Sequence, residues 1–220
     1  MAGFSSGFKK KAALGNRVLA EFLGSFFLLL AALGSLVPGE GLLVPALASG
    51  LAILVMVVAL GGVSGAHFNP AVSLAFFLEG ALKARELPAY WLAQLLGSLS
   101  ASGMAAFLYP GVLAKGLPTF SDWGRGLAAE VLGTFFLVLV ILMVVRARHP
   151  LAGVAIGLTV TLLVLALAPL SGGAFNPARW AGPALLLGDL GGALVYLPGP
   201  FLGGLLALAA SRALARGEAG

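Results

Sequence analysis

The chain holds three asparagines in 220 residues, Asn16, Asn69 and Asn176, and two of them sit in the same tripeptide, Asn-Pro-Ala. The stretches are SGAHFNPAVS, from Ser64 to Ser73, and SGGAFNPARW, from Ser171 to Trp180. In the second, Arg179 is the only lysine or arginine between Arg148 and Arg212. Asn is a favoured helix N-cap, and Pro is favoured at the first helical position, where its missing N–H costs nothing. Each Asn oxygen can therefore cap a first turn while its NH₂ group points elsewhere. These residues offer hydrogen-bond donors and no bond-making chemistry. Two helix N-termini facing each other would add positive dipole ends, each equivalent to roughly half a charge. The preceding segments, GGVSGAHF and LSGGAF, are glycine-rich and permit left-handed or extended backbone. Unwound backbone at membrane depth is tolerable only where it is buried or lines a wet cavity. Its carbonyls would then form a line of acceptors, with Gly65, Ala66, His67, Phe68, Gly172 and Ala174 as lining candidates. Central donors and flanking acceptors suit neutral hydrogen-bonding molecules. A cation meets the positive centre, and a proton cannot hop readily through a water whose oxygen already accepts both asparagine bonds.

The elements that must position these groups follow from hydropathy. Sixty per cent of the residues are hydrophobic and 10% are charged, against about 25% charged in a soluble domain. So few charges cannot cover a water-soluble surface, and the chain reads as a polytopic, all-α membrane protein in contact with the lipid bilayer. Six apolar segments reach spanning length, near 16–37, 41–62, 87–109, 126–146, 151–170 and 194–213. Two more, near 69–79 and 176–187, are too short to cross and read as re-entrant half-helices. The basic start resembles a signal peptide, but the first apolar run is long enough to span and reads as a retained helix. There is no cysteine, hence no disulfide or thiolate site, and His67 and His149 are isolated. No metal, cofactor or enzymatic activity is expected.

Charge placement sets the topology. With the N-terminus in the cytoplasm, Lys9, Lys10, Lys11, Arg17, Lys83, Arg85, Arg146, Arg148, Arg212 and Arg216 all fall inside, and only Lys115 and Arg125 fall in an outer loop. This follows the positive-inside rule, places both termini in the cytoplasm at the cell membrane, and explains the net charge of +5 without nucleic acid. The chain also repeats itself as a single channel domain over 1–220, with halves near 17–109 and 126–213. AEFLGSFFLLL begins at Ala20 and AEVLGTFFLVL at Ala129, so that Glu21 and Glu130 are 109 residues apart and the asparagines 107. Three crossings per half make the second half inverted, which brings interrupted elements together at the midplane.

Each polar residue has competing readings. Arg179 either snorkels to the interface or lines a path, and a charge inside a short re-entrant helix favours the path. Glu21 and Glu130 either brace the two loops or couple transport to protons, and their duplication favours bracing. His67 either lines the inner path or packs. Gln94 reads as a bond to a buried neighbour, and Gly24, Gly97, Gly133 and Gly203 read as close helix packing.

AEFLGSFF, SGAHFNPAVS, AYWLAQLLG, AEVLGTFF and SGGAFNPAR, in this order along the chain, resemble the motifs of the major intrinsic proteins, or aquaporins, over about residues 17–213. The resemblance implies a right-handed bundle of six tilted helices and two half-helices, with one pore per subunit and a homotetramer as the usual assembly. It places Asn69 and Asn176 at the pore centre. It also implies an outer selectivity filter at Ser49, Val164, Gly173 and Arg179, with a one-residue slip at the first position giving Ala48 or Gly50. A water-selective filter usually has Phe and His where this chain has Ser49 and Val164, which implies a wide filter. Trp180 stands where glycerol facilitators have Asp, and its side chain could refill the space. The implied function is a passive channel for water and small uncharged solutes such as glycerol, urea or metalloid acids, excluding protons and ions. The alternatives are a water-selective channel and a proton-coupled transporter.

Overall fold

The structure is a computed structural model that describes residues 12–39 and 41–216, Arg216 by its backbone alone. Lys9, Lys10, Lys11 and the Arg216 side chain, counted above on the inner side, lie outside the described residues. In chain order the elements are α1 (Leu14–Gly34), α2 (Leu43–Ser64), α3 (Pro70–Leu78), α4 (Leu87–Leu108), α5 (Val112–Gly116), α6 (Trp123–Arg146), α7 (Ala152–Ser171), α8 (Pro177–Leu187), α9 (Ala193–Tyr196) and α10 (Pro198–Arg216). Among the described residues, six spans are long and apolar enough to cross a membrane: α1, α2, α4, α6, α7 and the α9–α10 run from Ala193 to Ala215. They match the six expected segments to within three residues at each end. α3 and α8 are the two short pieces between them.

The inward and outward sides of α2 and α7 are both largely apolar and differ in which residues they present. In α2, Leu43, Leu47, Leu51, Val55 and Val58 are exposed along one side, while Ser49, Ile53 and Val57 form a stripe turned inward. α7 repeats the pattern, with Leu158, Leu162 and Leu165 exposed and Ile156, Val160 and Val164 inside. Since lipid is as apolar as leucine, close van der Waals packing must hold the helices together.

The contacts obey the inverted repeat. α1 packs on α2 and α4, as α6 packs on α7 and α10, and each half-helix docks on the other half, α3 on α10 and α8 on α4. α2 and α7 meet across the pseudo-twofold axis at Gly50 and Gly157, 107 residues apart like the asparagines. A Cβ at Gly157 would lie 2.6 Å from the Gly50 carbonyl oxygen, and one at Gly50 would strike the Gly157 carbonyl and Thr161. Gly97 admits α1 to α4, and Gly203 admits α6 to α10, each against facing backbone. Gly24 and Gly133 differ from the expected helix packing. Their missing Cβ volume is filled by the rings of Phe68 and Phe175, the residues before the two asparagines.

Candidate channel site

The two half-helices begin where the Asn-Pro pairs put them. Asn69 and Asn176 are N-caps in extended conformation, each followed by proline in the first turn. Asn69 Oδ1 accepts from Ala71 N–H at 2.9 Å, and Asn176 Oδ1 accepts from Ala178 N–H at 3.0 Å and Arg179 N–H at 3.3 Å. Their amides are not both left free. Asn69 Nδ2 donates to the Phe175 carbonyl and Asn176 Nδ2 to the Phe68 carbonyl, each at 2.8 Å. An NH₂ group carries two N–H bonds, so each asparagine spends one on cross-linking the halves and keeps one.

The loops before the asparagines twist through left-handed backbone at matching positions: Gly65, Ala66 and Phe68 in the first, Gly172, Gly173 and Phe175 in the second. Such conformations are costly for residues other than glycine, and hydrogen bonds hold them. Glu21 and Glu130 are both 0% exposed. Glu21 Oε1 accepts from Ser64 Oγ (2.6 Å) and His67 N–H (3.0 Å), and its Oε2 from Phe68 N–H (2.7 Å) and Gln94 Nε2 (2.8 Å). Glu130 repeats this with Ser171 Oγ (2.7 Å), Ala174 N–H (3.0 Å) and Phe175 N–H (2.7 Å). Neither carboxylate borders the central cavity.

Two tyrosines complete the support, a role that the sequence reading assigned to neither. Tyr90 Oη donates to the Ser64 carbonyl at 2.7 Å and Tyr196 Oη to the Ser171 carbonyl at 2.8 Å. Their 106-residue separation, close to that of the asparagines, was the available signal. Gln94 also donates to Ser73 Oγ at 2.8 Å, and that hydroxyl lies 3.1 Å from His67 Nδ1.

A cavity of about 690 Å³ runs along these groups. Ser49, Val164, Gly173 and Arg179 all border it, as do Asn69 and Asn176. Ser49 lines it, and neither Ala48 nor Gly50 does. Gly65, Ala66, His67, Phe68 and Ala174 line it too. Gly172 does not; it abuts Pro118 and Thr119 instead, a correction to the lining set. His67 both borders the cavity and packs, stacked on Phe76 with ring centroids 4.6 Å apart. Trp180 turns away: it is 3% exposed, stacks on Tyr196 at 5.7 Å and does not reach the cavity. The lining also carries apolar side chains, Ile53 and Val160, themselves 107 residues apart, with Val57, Val72 and Ile156. A molecule inside meets both hydrogen-bonding groups and hydrocarbon.

The two ends differ. At one, Arg179 borders the cavity, and its buried Nη1 has no protein partner among the described residues. At the other, Arg17 lies 2.9 Å from Glu86, and Glu79 is clamped by Arg146 (3.2 Å) and Arg212 (2.8 Å) at the C-terminal end of α3.

Comparison with known proteins returns the same architecture. The family model for major intrinsic protein matches residues 8–210. The chain is 42% identical to aquaporin NIP1-1 of Zea mays over 205 residues, 86% of this chain and 71% of the relative. It is 39% identical to nodulin-26 of Glycine max over 202 residues, 86% and 74% of the two chains. Among solved structures, the aquaglyceroporin from Plasmodium falciparum superposes with a TM-score of 0.78 at 24% identity, covering 90% of this chain and 95% of that one.

Proposed function

The chain belongs to the major intrinsic protein family and is a channel for water and small uncharged solutes, and from that premise we infer that its filter is wide enough for glycerol- and urea-sized molecules. The observation that carries this is the set of side chains at the Arg179 end of the cavity. Ser49 and Val164 are small, Gly173 has no side chain, and Trp180 is packed on Tyr196 instead of filling the gap. Among the described residues that line this end, Arg179 alone offers a charged donor. A solute that sheds water to enter regains hydrogen bonds from the guanidinium, the loop carbonyls and the remaining N–H of each asparagine. Its carbon face lies against Val164, Val160 and Ile53. Polyols, ureas and undissociated metalloid acids have this two-sided character, with hydroxyl or amide groups on one side.

Exclusion of cations and protons follows from the same geometry. α3 and α8 start at the asparagines and run apart, so both positive dipole ends meet at the cavity centre. A central water that accepts from both asparagines has no free acceptor for an incoming proton. Glu21 and Glu130 serve as braces in this reading: their oxygens are taken by loop donors and they stand apart from the cavity.

The orientation we adopt puts the face carrying Arg17, Lys83, Arg85, Arg146, Arg148 and Arg212 in the cytoplasm of a cell membrane, which supports the filter being external. The assembly we adopt is the homotetramer usual in the family, in which the apolar sides of α2 and α7 face lipid or neighbouring copies. Stopped-flow shrinkage of proteoliposomes, with water, glycerol, urea and arsenite tested in turn, decides the breadth. Fast passage of glycerol and urea is the expected result; passage of water alone would overturn the wide filter.

A further inference from the structure

The 107-residue offset that relates Asn69 to Asn176 and Gly50 to Gly157 also maps the outer filter onto a second set of residues. Ser49 corresponds to Ile156, Gly173 to Ala66, Arg179 to Val72, and Val164 to Val57. The mapping is carried by local structure as well as by number. Ala66 and Gly173 hold the same left-handed backbone, with φ 53° and 63°. Val72 and Arg179 each sit in the third position of a half-helix begun by Asn-Pro. Val57, Ala66, Val72 and Ile156 all border the same cavity. By the twofold they stand as far inside the asparagines as the filter stands outside. The outer ring contains a guanidinium and a hydroxyl; the inner ring contains four aliphatic side chains.

That difference bears on a problem the outer half leaves open. Arg179 and the two helix N-termini turn cations away, but the same positive potential attracts anions. A small anion that passes Arg179 reaches a centre where dipole ends and asparagine N–H groups stabilise it. The next step inward takes it between Val57, Val72 and Ile156. The polar groups of the loop that border the cavity here are backbone carbonyls, which accept hydrogen bonds and cannot solvate an anion, and the His67 ring, which is stacked on Phe76 with its Nδ1 turned to Ser73 Oγ at 3.1 Å. An unpaired charge stripped of water against hydrocarbon meets a far larger penalty than a neutral hydroxyl does. A neutral solute keeps the carbonyls as acceptors and crosses.

We propose that Val57, Ala66, Val72 and Ile156 form an inner apolar ring that excludes small monovalent anions, complementing the exclusion of cations by Arg179. The proposal rests on the outer filter being Ser49, Val164, Gly173 and Arg179, since that set fixes the mapping.

The test is nitrate conductance of the full chain in proteoliposomes, with water permeability on the same vesicles normalising for inserted channels. The variants are the near-isosteric pair Val57→Thr and Val72→Thr, and separately Ile156→Ser, the direct counterpart of Ser49. Either is expected to raise nitrate conductance relative to water flux by at least about tenfold, because hydroxyls lower the desolvation barrier, with potassium still excluded by Arg179. A nitrate-to-water ratio that stays at the wild-type value in a variant still conducting water overturns the ring. So does potassium leak that rises in step with nitrate. Failure of the wide-filter reading is seen separately, as wild-type vesicles that pass water but neither glycerol nor urea.

Discussion

Asn69 donates its side-chain amide to the Phe175 carbonyl across 2.8 Å, and Asn176 returns the bond to Phe68 at the same distance. The two halves are therefore stitched at the point where a permeating molecule would be held. Asn69→Asp keeps an oxygen to cap α3 but removes both N–H groups and sets a carboxylate against the Phe175 carbonyl. The expected result is a loss of about 2–3 kcal/mol in stability, from a lost hydrogen bond and an unpaired buried carbonyl, together with sodium leak as the positive centre is cancelled. Thermal unfolding in detergent and sodium flux in vesicles measure the two effects. Unchanged values for both would show that the cross-link carries no weight.

The tyrosine pair makes a symmetrical prediction. Tyr196→Phe leaves the Ser171 carbonyl without its donor, and Tyr90→Phe does the same to Ser64. Each should cost about 1–3 kcal/mol, the usual penalty for a buried polar group left unpaired. The two costs should agree within experimental error because the loops they hold are related by the pseudo-twofold. A large difference between their melting temperatures would mean that the halves are not mechanically equivalent.

How much of this was legible in the sequence depends on how local the cause is. Spans and half-helices were readable because hydropathy and Asn-Pro capping act within a few residues. The inverted repeat was readable because Glu21 and Glu130, and the two asparagines, recur at nearly one spacing. The second bond of each asparagine was not, since its acceptor lies more than 100 residues away in the other motif. Glycine roles were legible only in part. Gly97 and Gly203 face neighbouring helices as expected, but nothing in AEFLG or AEVLG says that a phenyl ring from a distant loop occupies the space beside Gly24 or Gly133. Trp180 was ambiguous for the same reason: its direction is set by Tyr196, which packs from another element.

The glycine finding can be tested directly. A Cβ at Gly133 would overlap the Phe175 ring, whose backbone is fixed by Glu130 on one side and Asn69 on the other. Gly133→Ala should therefore cost about 1–3 kcal/mol by overpacking and should lower solute flux as Phe175 shifts. Gly103→Ala, where no atom lies within 4 Å of the added carbon, is the control. It should be neutral or gain up to about 1 kcal/mol from helix propensity. Equal melting temperatures for the two variants would count against the packing account.

Arg179 carries a buried Nη1 with no protein partner among the described residues, at the end of the cavity lined by small groups. In the proposed filter that group binds the entering solute and repels cations. Arg179→Ala should admit larger polyols and open a sodium or proton leak, with little change in the architecture, since its backbone N–H still caps on Asn176. Swelling assays across a polyol series and a pH-dye leak assay report on both. Selectivity identical to wild type would remove Arg179 from the filter.

Breadth of selectivity is the last and most direct test. Ser49 and Val164 face the cavity from α2 and α7, whose approach is fixed at Gly50 and Gly157 close to Ser49 in α2. Because backbone meets backbone at that crossing, the helices cannot move closer together, and in the proposed filter the side chains at 49 and 164 set the width on this side. Ser49→Phe combined with Val164→His adds two rings and a donor to this space. Glycerol and urea flux should fall by about tenfold or more, while water flux, which needs a narrower opening, falls less. The ratio of glycerol to water permeability in stopped-flow shrinkage is the measurement. Equal loss of both would mean that the substitutions block or unfold the channel instead of narrowing it. No loss of glycerol flux would place the limiting constriction elsewhere along the cavity.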